Sequence, residues 1–435
     1  MKKKSIINFT FIILLILVVS VRIYYIHQLN VQNGYSTVKM HNNGDASHYL
    51  QIAKNIANFN VFSDNNSIVA SESASWRAPF WPFILSFMFY ISENLLILII
   101  LKSILELVLF LSALYFFKRI FNYDLLFILP FLLLLIEPQY LKYSITFLSE
   151  SLTSILILIL TIVFITLNKI KSFNVLVPLL CGIIVLTHPV SIFFITTVFC
   201  SYILLNFKVN LKKTIFHGIL FIAIIFSWMT RNYLIFDKGF YLTASQGATF
   251  SKGWNEKVAY QFNNVDGDLA DEGLNLKYLN PKLIANSDKG VLATSKLYKL
   301  GTISYIKSLT FNQKVKIIFL KLKSNFNPFP EKSKAGFLES TSIFFRMFYS
   351  FLFLQMIFHF CKKGIHYKTT CDKIYLIVLS IILGQSAMAI LIYTGLRFNS
   401  IYSLSLLFCL IYVNLDFFKK YYVKSFGICR LDNQL

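Results

Sequence analysis

The sequence predicts an all-α membrane protein. About ten transmembrane helices are expected, with amphipathic surface helices in a first outer loop and one large outer loop. Three observations lead there. Hydrophobic residues make up 56% of the chain and charged residues 14%, where a soluble domain carries about a quarter charged. Apolar runs near the roughly 20 residues that cross a bilayer as helix recur along the chain, and the mean hydropathy is +0.62. Short basic clusters fall at alternate ends of those runs, which places every cluster on one side.

The first run follows Met1-Lys2-Lys3-Lys4 and extends from Ile6 to about Ile26. It looks like a signal peptide, but no small-x-small cleavage site follows, so it reads as an uncleaved first span. Further spans are expected near 94–117, 123–138, 150–167, 174–187, 189–206, 214–235, 343–360, 373–393 and 400–418. With the N-terminus inside, Lys118-Arg119, Lys169 with Lys171, and Lys208 with Lys212 and Lys213 all fall inside. Lys362-Lys363 and Lys419-Lys420 follow the same rule, so both termini are expected in the cytoplasm. The segment Pro79 to Ile91 is read as an interfacial piece that does not cross, because counting it as a span breaks the pattern.

The expected division is a transmembrane module over 1–235, containing a first outer loop at 28–93, a large outer region at 236–342, and C-terminal transmembrane helices over 343–435. In the large region, Phe311, Val315, Ile318, Phe319 and Leu322 alternate with lysines as in a helix lying on a membrane surface. The Lys-, Asn- and Ile-rich composition suits an AT-rich bacterial genome, and hence the bacterial cytoplasmic membrane.

The formal charge of +22 lies on the flanks of apolar runs. Anionic lipid headgroups are its expected partner, and nucleic acid is not. Cys181, Cys200 and Cys409 fall within spans, and Cys361, Cys371 and Cys429 on the inner side, so no disulfide is expected.

Arginine does not follow lysine. Of seven arginines, only Arg119 and Arg430 fall inside; Arg22, Arg77, Arg231, Arg346 and Arg397 fall at or near the outer face. The guanidinium fork suits phosphate and carboxylate. Scattered headgroup contacts and a shared phosphate site both explain this distribution. Acids join them. Asp45 begins a stretch in which Tyr49, Ile52, Ala53, Ile56 and Phe59 share one helical stripe, expected to lie on the membrane. Asp45 either caps that helix or takes part in chemistry. Glu150 opens the fourth span, where the helix dipole also favours an acid. Glu137 precedes Pro138 near the same face. His188 precedes Pro189 at a tight turn. Lys102 and Glu106 lie four apart inside the second span, where mutual neutralisation is the plain reading, and Lys102 is shallow enough to snorkel outward. Asp266, Asp268, Asp271 and Glu272 lack the ligand spacing of an EF-hand and read as a solvated loop. No zinc spacing, phosphate-binding glycine loop or Gly-x-Ser-x-Gly elbow occurs.

Asp45-Ala-Ser-His-Tyr-Leu-Gln-Ile-Ala-Lys-Asn-Ile-Ala57 followed by Arg77-Ala-Pro-Phe-Trp-Pro82 resembles the first outer loop of GT-C-type membrane glycosyltransferases, near glycosyltransferase family 39 and the protein mannosyltransferases. Leu148-Ser-Glu150, Trp228-Met-Thr-Arg-Asn-Tyr233 with Phe236 and Gly239, and Leu396-Arg-Phe398 are similar to later stretches of that family, in the expected order. Lys102 stands where many members carry Arg. Three features depart from the pattern: no second acid follows the first, His188-Pro189 replaces the usual Arg-Pro, and Asn399 stands where another Arg is common.

The resemblance implies hexosyl or pentosyl transfer from a polyprenyl-phosphate-linked sugar to a glycan, lipid or protein acceptor. It implies Asp45 as base and Glu150 as an orienting acid. Some of Arg77, Lys102, Arg231 and Arg397 would hold the phosphate, with His48, Tyr49, His188 and Asn232 in the binding site. It implies no cofactor, with a divalent metal left as an open alternative. A flippase or exporter of lipid-linked saccharides and a polysaccharide polymerase are the rival functions. A transporter would show charges or broken helices near the midplane of several spans.

Overall fold

The computed structural model describes residues 2–31, 44–65, 68–123, 125–167, 174–207, 211–255, 290–326, 370–392 and 396–425, with isolated positions between 347 and 361. Among them every regular element is a helix. The N-terminal part holds α1 (Lys2–Val31), α2 (Asp45–Phe59), α3 (Phe80–Phe89) and α4 (Leu95–Phe121). A single turn, α5 (Leu125–Ile128), runs into a 3-10 segment, Leu129–Ile136, and then α6 (Pro138–Ser144). The middle holds α7 (Glu150–Thr166), α8 (Leu176–Thr187), α9 (Ile192–Phe207) and α10 (Leu211–Phe236). The rest comprises α11 (Gln246–Gly253), α12 (Val291–Ser308), α13 (Phe311–Phe326), α14 (Thr370–Leu391) and α15 (Leu396–Ser425).

Five stretches are long and apolar enough to cross a membrane: Thr10–His27, Leu95–Phe121, Leu211–Phe236, Thr370–Leu391 and Phe398–Leu415. The chain is a membrane protein on this ground. Helices α3, α7, α8 and α9 are apolar but shorter. The run expected to span at 123–138 is not one helix. Pro130 and Pro138 are the reason: each removes a backbone donor, and Pro138 pushes the residue before it out of the helical region. Glu137 accordingly sits at ψ 123°, and its carboxylate accepts the amide of Tyr140 at 2.6 Å, capping α6. The expected span 343–360 lies outside the described residues but for isolated positions, as do Arg346 and the acidic stretch 266–272.

Helix α7 is the centre. All but one of its 17 residues are buried, on every side, as befits a helix that is apolar all round. It packs on α15 most extensively, and on α4, α6 and α8. Helix α2 departs from expectation. Its Tyr49, Ile52 and Ala53 are turned into the protein rather than laid on lipid, and α2 packs against α3, while Phe59 stays exposed. Asn55 is buried on the same helix and donates to the carbonyls of Ser63 at 2.7 Å and Asn65 at 2.6 Å, pinning the loop that follows.

Helices α9 and α14 approach closely at Gly384, where an added Cβ would stand 2.5 Å from Phe194 Cα and 2.8 Å from its nitrogen. Backbone atoms cannot yield as a flexible side-chain end would. Gly384→Ala is therefore expected to destabilise by about 1–3 kcal/mol. Gly218, within α10, has nothing within 4 Å of the same position. Gly218→Ala should be neutral or stabilising by up to about 1 kcal/mol. Thermal unfolding of the two purified variants, compared with the parent, checks the pair.

Candidate active site

A cavity of about 340 Å³ opens where the N-terminus of α2, the turn before α3 and the start of α9 meet. Asp45 and Tyr49 of α2, Arg77 and His188 line it, from three places far apart in sequence. Pro189, Val190, Phe193, Ile392 and Phe398 give it an apolar side. Helix α11 and the residues before it supply Thr243, Ser245, Gln246, Thr249 and Lys252.

Asp45 does not cap α2. The cap position is Gly44, at φ 68°, where a residue with a side chain would be strained, and Asp45 is the first helical residue. Its charge still suits the helix N-terminus, but its carboxylate meets the guanidinium of Arg77. Arg77 Nε donates to His48 Nδ1 at 3.0 Å, and its guanidinium lies 5.2 Å from the ring centroid of Tyr49. A guanidinium has five N–H donors. Two are taken here, by Asp45 and His48, which leaves three without a partner among the described residues.

On its far side His48 Nε2 is 2.7 Å from Asp64 Oδ2. Asp64 Oδ1 accepts the hydroxyls of Ser71 and Ser73, each at 2.5 Å. Burial works against charge on Asp64, but the bonds from His48, Ser71 and Ser73 override it and hold the carboxyl well below its ordinary range. The buried Tyr49 phenol is pushed up by desolvation above all. Glu150 and Asp45 add to that effect and Arg77 opposes it, so both carboxylates act on one hydroxyl.

Glu150 is fully buried at the first position of α7, and His188 Nε2 stands 3.6 Å from its Oε1. Pro189 keeps His188 extended, at φ −144° and ψ 96°, which ends α8 and turns the ring toward Glu150. The ring meets Phe398 edge-on, with centroids 5.7 Å apart.

Lys102 does not line the cavity, and it does not snorkel. It is wholly buried, and its ammonium donates to the carbonyls of Tyr143, Ser144 and Thr146 at 2.9, 3.1 and 2.6 Å. Trp81 Nε1 donates to the next carbonyl, of Phe147, at 2.7 Å. Lys102 and Trp81 thus clamp the turn that delivers Glu150. The guanidinium of Arg231 lies among the rings of Phe62, Trp228 and Phe236, 4.8–5.6 Å from their centroids, and donates to Asn232 Oδ1 at 3.0 Å. Asn232 is buried and donates to the carbonyl of Tyr241 at 3.1 Å, which fixes the chain as it leaves α10. Arg397 is in α15, beside the cavity residue Phe398, and its side chain lies outside what is described.

The sequence reading missed Asp64, Ser71 and Ser73, whose only signal is the serine-rich run Ser71-Glu-Ser-Ala-Ser75. It also missed the α11 wall. That wall is held at both ends. Glu72 Oε1 accepts the amide of Leu292 at 2.7 Å, and Glu72 Oε2 pairs with Lys238. Trp254 Nε1 donates to the carbonyl of Ile390 at 3.1 Å. Lys321 of α13 is buried under Trp254, 4.2 Å from its ring centroid, and donates to the carbonyl of Ile392 at 2.9 Å, past the end of α14. Burial pushes its ammonium well down. The expected surface helix at 311–323 is helical as α13; Phe311, Val315 and Phe319 are exposed along it.

Fold and cavity together define an all-helical membrane protein with a half-polar, half-apolar cavity built around an Asp–Arg pair. Among the described residues no cluster of three or more His, Cys, Asp or Glu side chains is placed to hold a metal ion. Comparison with known family models, curated proteins and solved structures finds no match.

Proposed function

We propose that this chain is a GT-C-like glycosyltransferase with about ten spans. It transfers a sugar from a polyprenyl-phosphate donor to a glycan, lipid or protein acceptor on the outer face of a bacterial cytoplasmic membrane. The observation that carries the reading is Arg77: a guanidinium fixed on one side by His48, paired with Asp45, with three N–H donors left over in a cavity. Such a group suits an anion that carries more charge as the reaction proceeds. The apolar side of the cavity suits a prenyl chain and the α11 side a sugar.

The step that follows is a displacement at the anomeric carbon. The acceptor hydroxyl gives its proton to the Asp45 carboxylate while its oxygen forms the new bond. The bond from the anomeric carbon to the phosphate oxygen breaks, through an oxocarbenium-like state. The electron pair leaves with the lipid phosphate, and Arg77 holds the charge. Glu150, through His188, orients the bound sugar or acceptor.

An exporter of lipid-linked saccharides is the second reading, and one observation favours it. Arg22, Lys102 and Glu106 are three charges buried within the bundle, beside the broken stretch at 125–144. Yet each is tied to fixed partners, Arg22 to Glu106 and Tyr140, Lys102 to three carbonyls, and Glu106 to Ser151 as well, as a moving gate would not be. Mass spectrometry of cell-surface glycans with and without the protein tests both readings. The transferase is expected to remove one sugar unit from a defined glycan or lipid when absent. Loss of the whole surface saccharide, with lipid-linked saccharide trapped on the inner leaflet, would overturn it in favour of export.

A further inference from the structure

We propose that Asp64 is a positioning residue: acting through His48, it fixes the Arg77 guanidinium at the cavity. The proposal rests on the reading of Arg77 as the anion-binding group, and it extends that reading to a residue about 20 positions from Asp45 that does not line the cavity. Arg77 Nε is always protonated, so the nitrogen facing it at 3.0 Å must accept. That nitrogen is His48 Nδ1, and a neutral imidazole then carries its proton on Nε2. Asp64 Oδ2 lies 2.7 Å from Nε2 and accepts that proton's hydrogen bond. The carboxylate therefore selects the one tautomer in which His48 can hold Arg77.

Asp64 is itself held. Ser71 and Ser73 occupy its other oxygen, and Ser71 Oγ also accepts the Asp64 amide at 3.0 Å. Asn55 pins the preceding loop to α2. The line Asp64–His48–Arg77–Asp45 thus starts in a loop, crosses α2, and ends at the first residue of the same helix. In the other tautomer an N–H would face the Nε–H of Arg77. The bond would be lost, and the guanidinium would be held by Asp45 alone and free to swing from the direction in which an anion meets it.

The experiment uses the full chain in lipid nanodiscs, labelled with ¹⁵N-histidine, at pH 8, with the His48 signals identified by their loss in His48→Gln. In the parent protein, Nδ1 of His48 is expected to be unprotonated and Nε2 protonated. In Asp64→Ala the two tautomers should mix, and binding of inorganic phosphate should weaken roughly 10-fold. Asp64→Asn, which keeps an accepting oxygen, should retain the tautomer in part and fall between. A parent His48 protonated on Nδ1 would overturn the proposal without any variant having to fold. So would an Asp64→Ala protein whose His48 tautomer is unchanged. The functional reading fails separately: if the tautomer responds as stated but the parent binds no phosphate, Asp64 positions Arg77 and the cavity is not an anion site.

Discussion

Asp45→Asn is expected to lower sugar transfer by about 10²- to 10⁴-fold, the usual range for loss of a general base. That corresponds to about 3–5 kcal/mol of barrier. The expected loss of stability is far smaller. Asp45 is not the helix cap, so no capping bond is removed. Its side chain is 34% exposed, and an ion pair so open to solvent contributes about 0.2–1 kcal/mol. The dipole term at the first turn adds less than about 1 kcal/mol. Rate and stability therefore separate: a correctly inserted Asp45→Asn protein, with near-parental thermal unfolding, should be almost inactive on a polyprenyl-phosphate sugar. Full activity in that protein would remove Asp45 from the chemistry and leave it as the partner of Arg77.

Glu106→Gln should have the largest effect on folding. Glu106 is wholly buried, and both Arg22 and Lys102 depend on it. Arg22 meets it at 2.8 Å and Lys102 at 3.4 Å, while Tyr140 and Ser151 donate to it at 3.1 and 2.6 Å. Glutamine keeps the size and an accepting oxygen but removes the one negative charge that both cations contact. Two positive charges then share a dry site. Breaking a buried pair this way costs about 3–5 kcal/mol. Much lower yield of inserted protein and a markedly lower unfolding temperature are expected. Arg22→Met with Glu106→Gln should recover much of the loss, because it removes opposite charges together while Lys102 keeps its three carbonyls. A double variant no better than Glu106→Gln alone would mean that charge balance is not what the network supplies.

Much of the helix pattern was legible in one dimension because apolar length and helix length are the same measurement in a membrane. The runs near 6–27, 94–117, 214–235, 373–393 and 400–418 each coincide with a long apolar helix. The run at 123–138 misled because hydropathy does not register proline's missing donor, and Pro130 and Pro138 turn that run into a 3-10 segment and a separate short helix. The stripe on α2 was read correctly as amphipathic and assigned the wrong partner. Periodicity shows that a face is apolar, and not whether lipid or another helix covers it.

The candidate site divides in the same way. Asp45, Arg77 and His188 stood out in the sequence by residue type and placement, and His48 and Tyr49 through the family resemblance; all five meet at one cavity or directly behind it. Lys102 shared their chemistry but faces the carbonyls before Glu150, and Arg231 is turned into aromatic rings. Residue type cannot distinguish a guanidinium that waits for an anion from one that stacks on tryptophan. The sequence by itself determined the membrane class and the candidate residues, because hydropathy and charge type are local properties. Only the tertiary structure decided which candidates share a cavity. It also recruited Asp64, Lys252 and the α11 wall, because hydrogen-bond partnership is set by distances across helices that no spacing along the chain encodes.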